Sequence, residues 1–233
     1  MDQQHPSPSR WAIVLAGGEG TRMQPLVHRW LGFNRPKQYC AFVGSRSMFQ
    51  HTVDRAALVT APERIVAVVG RDHRDEILTQ LQGRTIGQVI YQPRNCETAA
   101  GLFLPLTYIH ARAPGATVVI FPSDHFIHPE DRFLAAVGRI ADLAETMPDR
   151  LVLLGIRPDR LEMEYGWIVP GAALSSPEEA PICEVHSFME KPNRIQAVKA
   201  FRHGALWNTF VFAAQAELLW QVGPRCFPAV MRR

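Results

Sequence analysis

Cysteine is scarce in this chain: four in 233 residues (Cys40, Cys96, Cys183 and Cys226), with no Cys-x-x-Cys pair. That speaks against a zinc site or a disulfide framework and for a reduced, cytoplasmic setting. An excess of one charge is also lacking. A net charge of +3 is too small to imply a nucleic-acid partner or an anionic membrane surface. No apolar run approaches the roughly 20 residues needed to span a bilayer. Residues 1–10 are polar with two prolines and lack the apolar stretch of a leader, so they are expected to be a flexible tail. Two common phosphate motifs are missing as well. There is no Gly-Lys-Ser/Thr ending of a P-loop and no Gly-x-Gly-x-x-Gly of a dinucleotide fold.

What is present begins at Trp11-Ala-Ile-Val-Leu-Ala16, an apolar run with the length of a covered parallel strand. It runs straight into Gly17-Gly-Glu-Gly-Thr-Arg22. Glycines there let backbone N–H groups come close to a ligand and offer an anion a concave row of donors. Arg22 adds a full positive charge, and Lys37 adds another within Pro36-Lys37-Gln38.

Hydrophobic residues make up 47% of the chain, enough for the core of one domain with a small appendage. Apolar runs at 64–70, 87–91, 116–122 and 151–156 predict further strands. Helical spacing predicts helices over 47–58, 72–82, 98–113 and 129–145, with Pro105 expected to kink or delay the third. Residues 25–35 show no clean period and read as loop. The alternation predicts an α/β fold, with a mostly parallel sheet and helices on both faces. After about residue 157 the pattern changes to short strands at 166–170, 183–190 and 209–213, with one helix at 193–203. That predicts a small antiparallel layer. Ligands in such sheets sit at the carboxyl ends of the strands. Here those ends are Gly17–Arg22, Gln92–Thr98, Ser123–His125 and Arg157–Gly166. Asp124 ends an apolar strand, where a carboxylate needs a cation or the surface.

The run Leu15-Ala-Gly-Gly-Glu-Gly-Thr-Arg-Met-Gln-Pro-Leu26 with Arg35-Pro-Lys-Gln38 resembles the signature of the sugar-1-phosphate nucleotidyltransferases, and Pro-Lys-Gln resembles the mannose-1-phosphate guanylyltransferase branch. The resemblance continues in Gln92-Pro-Arg-Asn95 with Thr98-Ala99, in Phe121-Pro-Ser-Asp-His125 and in Glu164-Tyr-Gly-Trp-Ile168. It ends with Phe188-Met-Glu-Lys-Pro192 and Leu206-Trp-Asn-Thr209. It implies a nucleotide-diphospho-sugar transferase fold over residues 11–233. The nucleotide half would cover about 11–157 and the sugar half about 158–233, with the domain truncated at its C-terminus and a second metal-binding aspartate unassigned.

The implied reaction joins a sugar 1-phosphate to a nucleoside triphosphate, releasing pyrophosphate, with GTP, mannose 1-phosphate and Mg²⁺ as the expected ligands. Another base or sugar, or a catalytically weak binding relative, are the alternatives. A homo-oligomer is compatible with either. The resemblance assigns catalysis to Arg22, Lys37 and Asp124, with Asp124 on the metal. It assigns the nucleotide to Ala16, Gly17, Gly18, Gly20, Thr21, Gln92, Asn95 and Thr98. The sugar phosphate goes to Tyr165, Gly166, Glu190, Lys191, Asn208 and Thr209. Three departures are visible: a longer loop from Pro25 to Pro36, inserted residues between Arg94 and Thr98, and Phe210 where a glycine is usual.

Overall fold

The computed structural model describes residues 10–94, 97–175 and 181–231. The chain divides into two compact units, Met1–Val152 with Phe212–Arg233, and Leu153–Val211.

In the first unit the elements run β1 (Arg10–Ala16), α1 (Gln24–Leu31), α2 (Met48–Ala56), β2 (Ile65–Gly70), α3 (Arg74–Gln80), β3 (Gln88–Gln92), α4 (Glu97–Arg112), β4 (Thr117–Pro122) and α5 (Glu130–Thr146). β1 pairs in parallel with β2 on one side and β4 on the other, and β2 pairs in parallel with β3. The apolar runs explain this layer. Ile13, Val14, Ile65, Val66, Val118, Val119 and Ile120 are all fully buried, as strands covered on both faces require. Because β1 has β2 and β4 as its two neighbours, the strand order reverses at β1. In open α/β sheets that reversal opens a crevice at the carboxyl ends.

Residues 25–35, expected as loop, contain α1. Pro25 stands in its first turn, and Gly32, at φ 81°, ends it by donating its N–H to the His28 carbonyl. Only Val27 of this helix is buried, although Leu26, Val27, Trp30 and Leu31 fall at helical spacing, a short stripe that the loop reading passed over. Helix α4 runs through Pro105 instead of starting after it. α2 begins as expected at Ser47, which forms a reciprocal capping box with Gln50. The Ser47 hydroxyl also donates to Gln80 Oε1 at 2.5 Å, tying α2 to the end of α3.

The second unit contains β5 (Val152–Ile156, from its second residue on), β6 (Gly166–Ala173), β7 (Cys183–Glu190), α6 (Arg194–Arg202) and the first part of β8 (Leu206–Gln215). β6 pairs antiparallel with β7 and with the start of β8. Its core is Trp167, Trp207, Ala197, Ala200 and Ala205. The last residues of β8, from Phe212, belong to the first unit and pair antiparallel with β4. They lead into α7 (Ala216–Cys226) and α8 (Pro228–Met231). The mixed sheet and its helices make an α/β fold. Among the described residues no helix is long and apolar enough to cross a membrane.

Replacing Ser47 with alanine removes the cap of α2 and leaves the buried Gln80 amide short of a partner. The expected loss is about 1–2 kcal/mol, read as a lowered urea midpoint at unchanged slope.

Candidate active site

The carboxyl ends of β1 and β4 lie side by side, with Leu15 in register with Pro122. Ser123 secures the junction: its N–H and its hydroxyl both donate to the Leu15 carbonyl, at 3.1 and 2.6 Å. The glycine turn leaves β1 at this point. Gly20 adopts φ 63°, a conformation glycine takes without penalty. A β-carbon on it would lie 3.0 Å from the Lys37 backbone nitrogen. The turn therefore packs directly on the Pro-Lys-Gln segment.

Gln38 holds that packing together. It is 2% exposed, and its amide donates to the carbonyls of Ala16 and Gly18 at 3.1 and 2.7 Å. Tyr39 Oη adds a longer bond to the Ala16 carbonyl, 3.4 Å. With these carbonyls fixed, the turn has a defined shape. Thr21 and Arg22 follow it in an exposed 3-10 turn, Thr21–Met23.

The charged centre of this unit is an ion pair. Lys37 Nζ lies 2.5 Å from Asp124 Oδ2, and each side chain is about a third exposed (32% and 30%). Burial opposes ionisation of Asp124, and His125 and the Lys37 ammonium outweigh it, so the carboxyl titrates below its ordinary value. Burial likewise holds the His125 imidazole below its usual range. Asp124 thus stays ionised through neutrality. Its stabilising contribution is present above the ordinary carboxyl value of 3.8 and is lost as pH falls through the lower folded value. Among the described residues no group of three or more His, Cys, Asp or Glu could hold a metal ion. A lone ionised carboxylate nevertheless fits magnesium, which is commonly bound by one or two carboxylates with substrate phosphates and water.

Beside the turn lies a cavity of about 540 Å³ lined by Gly17, Phe33, Arg35, Gly70, His73 and Gln92, among others. Gln92 is buried there between two glycines. β-carbons on Gly17 and Gly101 would lie 2.5 and 3.0 Å from its amide. The glycine at 17 is therefore needed to admit this amide. Thr98 is exposed in the first turn of α4 and does not line the cavity. Asn95 lies outside the described residues.

The second unit gathers its own polar cluster. β6 and β7 set Gly166 opposite Glu190. A β-carbon on Gly166 would lie 2.9 Å from Glu190 Oε2 and 3.4 Å from Asn208 Cβ. Tyr165 stands edge-on to Trp207, with ring centroids 5.3 Å apart. Lys191 is exposed at φ 45°, and Phe210 takes φ 58°, where non-glycine residues are strained. The Phe210 N–H donates to Asn208 Oδ1 at 3.0 Å, so the donor that the Asn208 carboxamide retains is its NH₂. The Thr209 hydroxyl donates to the Leu154 carbonyl at 2.6 Å and accepts from the Val211 N–H at 3.1 Å. Its proton is thereby committed to the strand, and one lone pair remains for a further donor.

Sequence reasoning overlooked Gln38, Phe33, Arg35 and His73. Gln38 stood in the quoted motif, yet a side chain that bonds backbone carbonyls leaves no periodic signal. Arg35 stands in the same motif, Phe33 in the stretch read as loop and His73 in the helix predicted over 72–82, and sequence order does not show that these separate segments line one cavity.

A family model described as nucleotidyl transferase matches residues 11–224. A xanthan biosynthesis protein, XanB, of Xanthomonas campestris pv. campestris (strain B100) is 33% identical over 88% of this chain and 42% of its own length. A mannose-1-phosphate guanylyltransferase of Escherichia coli (strain K12) is 30% identical over 88% and 43%. The chain thus spans less than half the length of these relatives. A crystal structure from Thermus thermophilus, described as a mannose-1-phosphate geranyltransferase, superposes with a TM-score of 0.81 at 27% identity, covering 96% of this chain and 62% of that one.

Gln38→Leu should strand the Ala16 and Gly18 carbonyls and loosen the turn. Nucleotide affinity, measured by calorimetry, is expected to fall about tenfold, and stability by about 1–3 kcal/mol. A loss of stability with unchanged affinity would show that the clamp does not shape a ligand site.

Proposed function

The chain belongs to the nucleotidyl transferase family, and from that premise we propose that it transfers GMP from GTP to mannose 1-phosphate, releasing pyrophosphate. The observation that carries this reading is the Lys37–Asp124 pair beside a glycine turn at the strand-order reversal. Relatives named for mannose 1-phosphate guanylyl transfer support the choice of substrates.

In this reaction a phosphate oxygen of the sugar attacks the α-phosphorus, and the bond to the leaving pyrophosphate breaks. No enzyme nucleophile is needed, so catalysis is positioning plus neutralisation of phosphate charge. Lys37 suits the α-phosphate and the incoming phosphate. Arg22 suits the β- and γ-phosphates, with backbone donors from Gly17 to Thr21. Asp124 would hold Mg²⁺, which when bound neutralises charge on the phosphates. Until substrate arrives, Lys37 and Asp124 neutralise each other, which lets both charges be kept partly buried.

Gln92, with Asn95, is assigned to the base, where an amide can both donate and accept; Thr98, outside the cavity lining, is given no part in this reading. In the second unit Glu190 would accept from sugar hydroxyls, the Asn208 NH₂ would donate to a sugar oxygen, and Lys191 would pair with the sugar phosphate. Gly166 and Tyr165 would shape the room for the ring. A cytoplasmic setting goes with this reading, since Cys40, Cys183 and Cys226 are free thiols.

The test is pyrophosphate release from purified protein with Mg²⁺, mannose 1-phosphate and each nucleoside triphosphate in turn. GTP is expected to support release, and no release with any of them contradicts the proposal. Asp124→Ala should abolish turnover. Lys37→Ala should lower kcat by about a hundredfold or more, whereas a rise in KM alone would make Lys37 a ground-state binder.

A further inference from the structure

We infer that Phe33 is a stacking platform for the nucleobase of the bound nucleoside triphosphate, a role that rests on the nucleotidyl-transfer reading. The cavity beside the glycine turn is polar and charged on most of its wall, with Glu19, Arg71, Asp72 and Arg94 in the lining. Among its described lining residues, Phe33 carries the one phenyl, phenol or indole ring. A volume of about 540 Å³ lies in the range of small-ligand sites.

Phe33 is 53% exposed, yet it is held in place. Gly32, in the left-handed region at the end of α1, turns the chain there. The Arg35 guanidinium then lies 5.9 Å from the ring centroid. That guanidinium is itself fixed by Glu76, which accepts from Arg35 Nε at 3.1 Å and pairs with Arg35 Nη2 at 3.0 Å. A planar fork locked on a carboxylate costs little further entropy to hold. It braces the ring and leaves half of the side chain facing water, an unfavourable exposure that a flat apolar ligand would relieve. His73, the other ring in the lining, packs edge-on to Tyr39 at 5.4 Å and is less free to serve.

The adjoining groups have the complementary chemistry. Gln92, wedged between Gly17 and Gly101, offers an amide, and carboxylates and guanidinium groups line the same cavity. A purine edge carries both donors and acceptors, whereas its face asks only for an aromatic surface. Phe33 therefore contributes affinity for any base, and the polar groups choose among bases.

Calorimetry of the full chain with Mg²⁺ separates these contributions, using GTP, ATP and inorganic tripolyphosphate as probes. For Phe33→Ala the expected result is a loss of GTP and ATP affinity on the order of tenfold or more, with tripolyphosphate binding unchanged. Phe33→Trp should retain nucleotide affinity. Unchanged GTP affinity in Phe33→Ala, beside a wild type that binds and turns over GTP, overturns the inference and leaves the nucleotidyl-transfer reading intact. Equal loss for tripolyphosphate also overturns it, because the base is then not what Phe33 holds. A wild type that binds neither nucleotide removes the reading and the inference together.

Discussion

The Lys37–Asp124 ion pair depends on almost every feature of the first unit, and the candidate site depends on it. Asp124 reaches its position because β4 lies parallel to β1 and ends level with it. Lys37 reaches its position because the glycine turn packs on its backbone and Gln38 bonds the carbonyls on either side of Gly17. Shift any of these and two opposite charges would be left partly buried and unpaired, a costly state. The same contacts that satisfy the charges also hold the backbone donors of the turn beside them. In this unit, stability and function make the same geometric demand.

The second unit is built differently. A sugar, the ligand proposed for it, would present hydroxyl groups in a fixed arrangement, whose recognition needs rigid donors and acceptors. Antiparallel register sets Gly166 opposite Glu190. The backbone at Asn208–Phe210 adds to it, with the Phe210 N–H holding the Asn208 carboxamide oxygen. The left-handed backbone at Phe210 is an unfavourable conformation for a bulky residue, retained beside the side chain it orients. Conformational strain of this kind gathers where local geometry serves a ligand.

Much of this was readable from residues. Buried parallel strands declare themselves as unbroken apolar runs, so β1, β2 and β4 were plain, and β7 was bounded correctly at Cys183–Glu190. Asp124 was conspicuous because a carboxylate at the end of such a run demands an explanation. Helix α1 is harder to read, since it is eight residues long and its stripe of Leu26, Val27, Trp30 and Leu31 is too brief to stand out from loop. Phe33 had no place in the reading, and Arg35 entered it only as part of the motif, because neither residue shows in sequence that it faces the cavity. Thr209 illustrates a second limit: its sequence position does not show that its hydroxyl donates to the Leu154 carbonyl. Nor does a sequence show that β8, one unbroken run, carries its last residues back into the first unit.

If Asp124 is kept ionised for a cation shared with phosphates, manganese, a magnetic stand-in for magnesium, will report it. Electron paramagnetic resonance titration of free Mn²⁺ would be run with and without GTP, for wild type and Asp124→Asn. The expected result is weak binding of Mn²⁺ to the protein alone, much tighter binding with GTP present, and loss of that tightening in Asp124→Asn. Equal Mn²⁺ binding by the two proteins in the presence of GTP would contradict it.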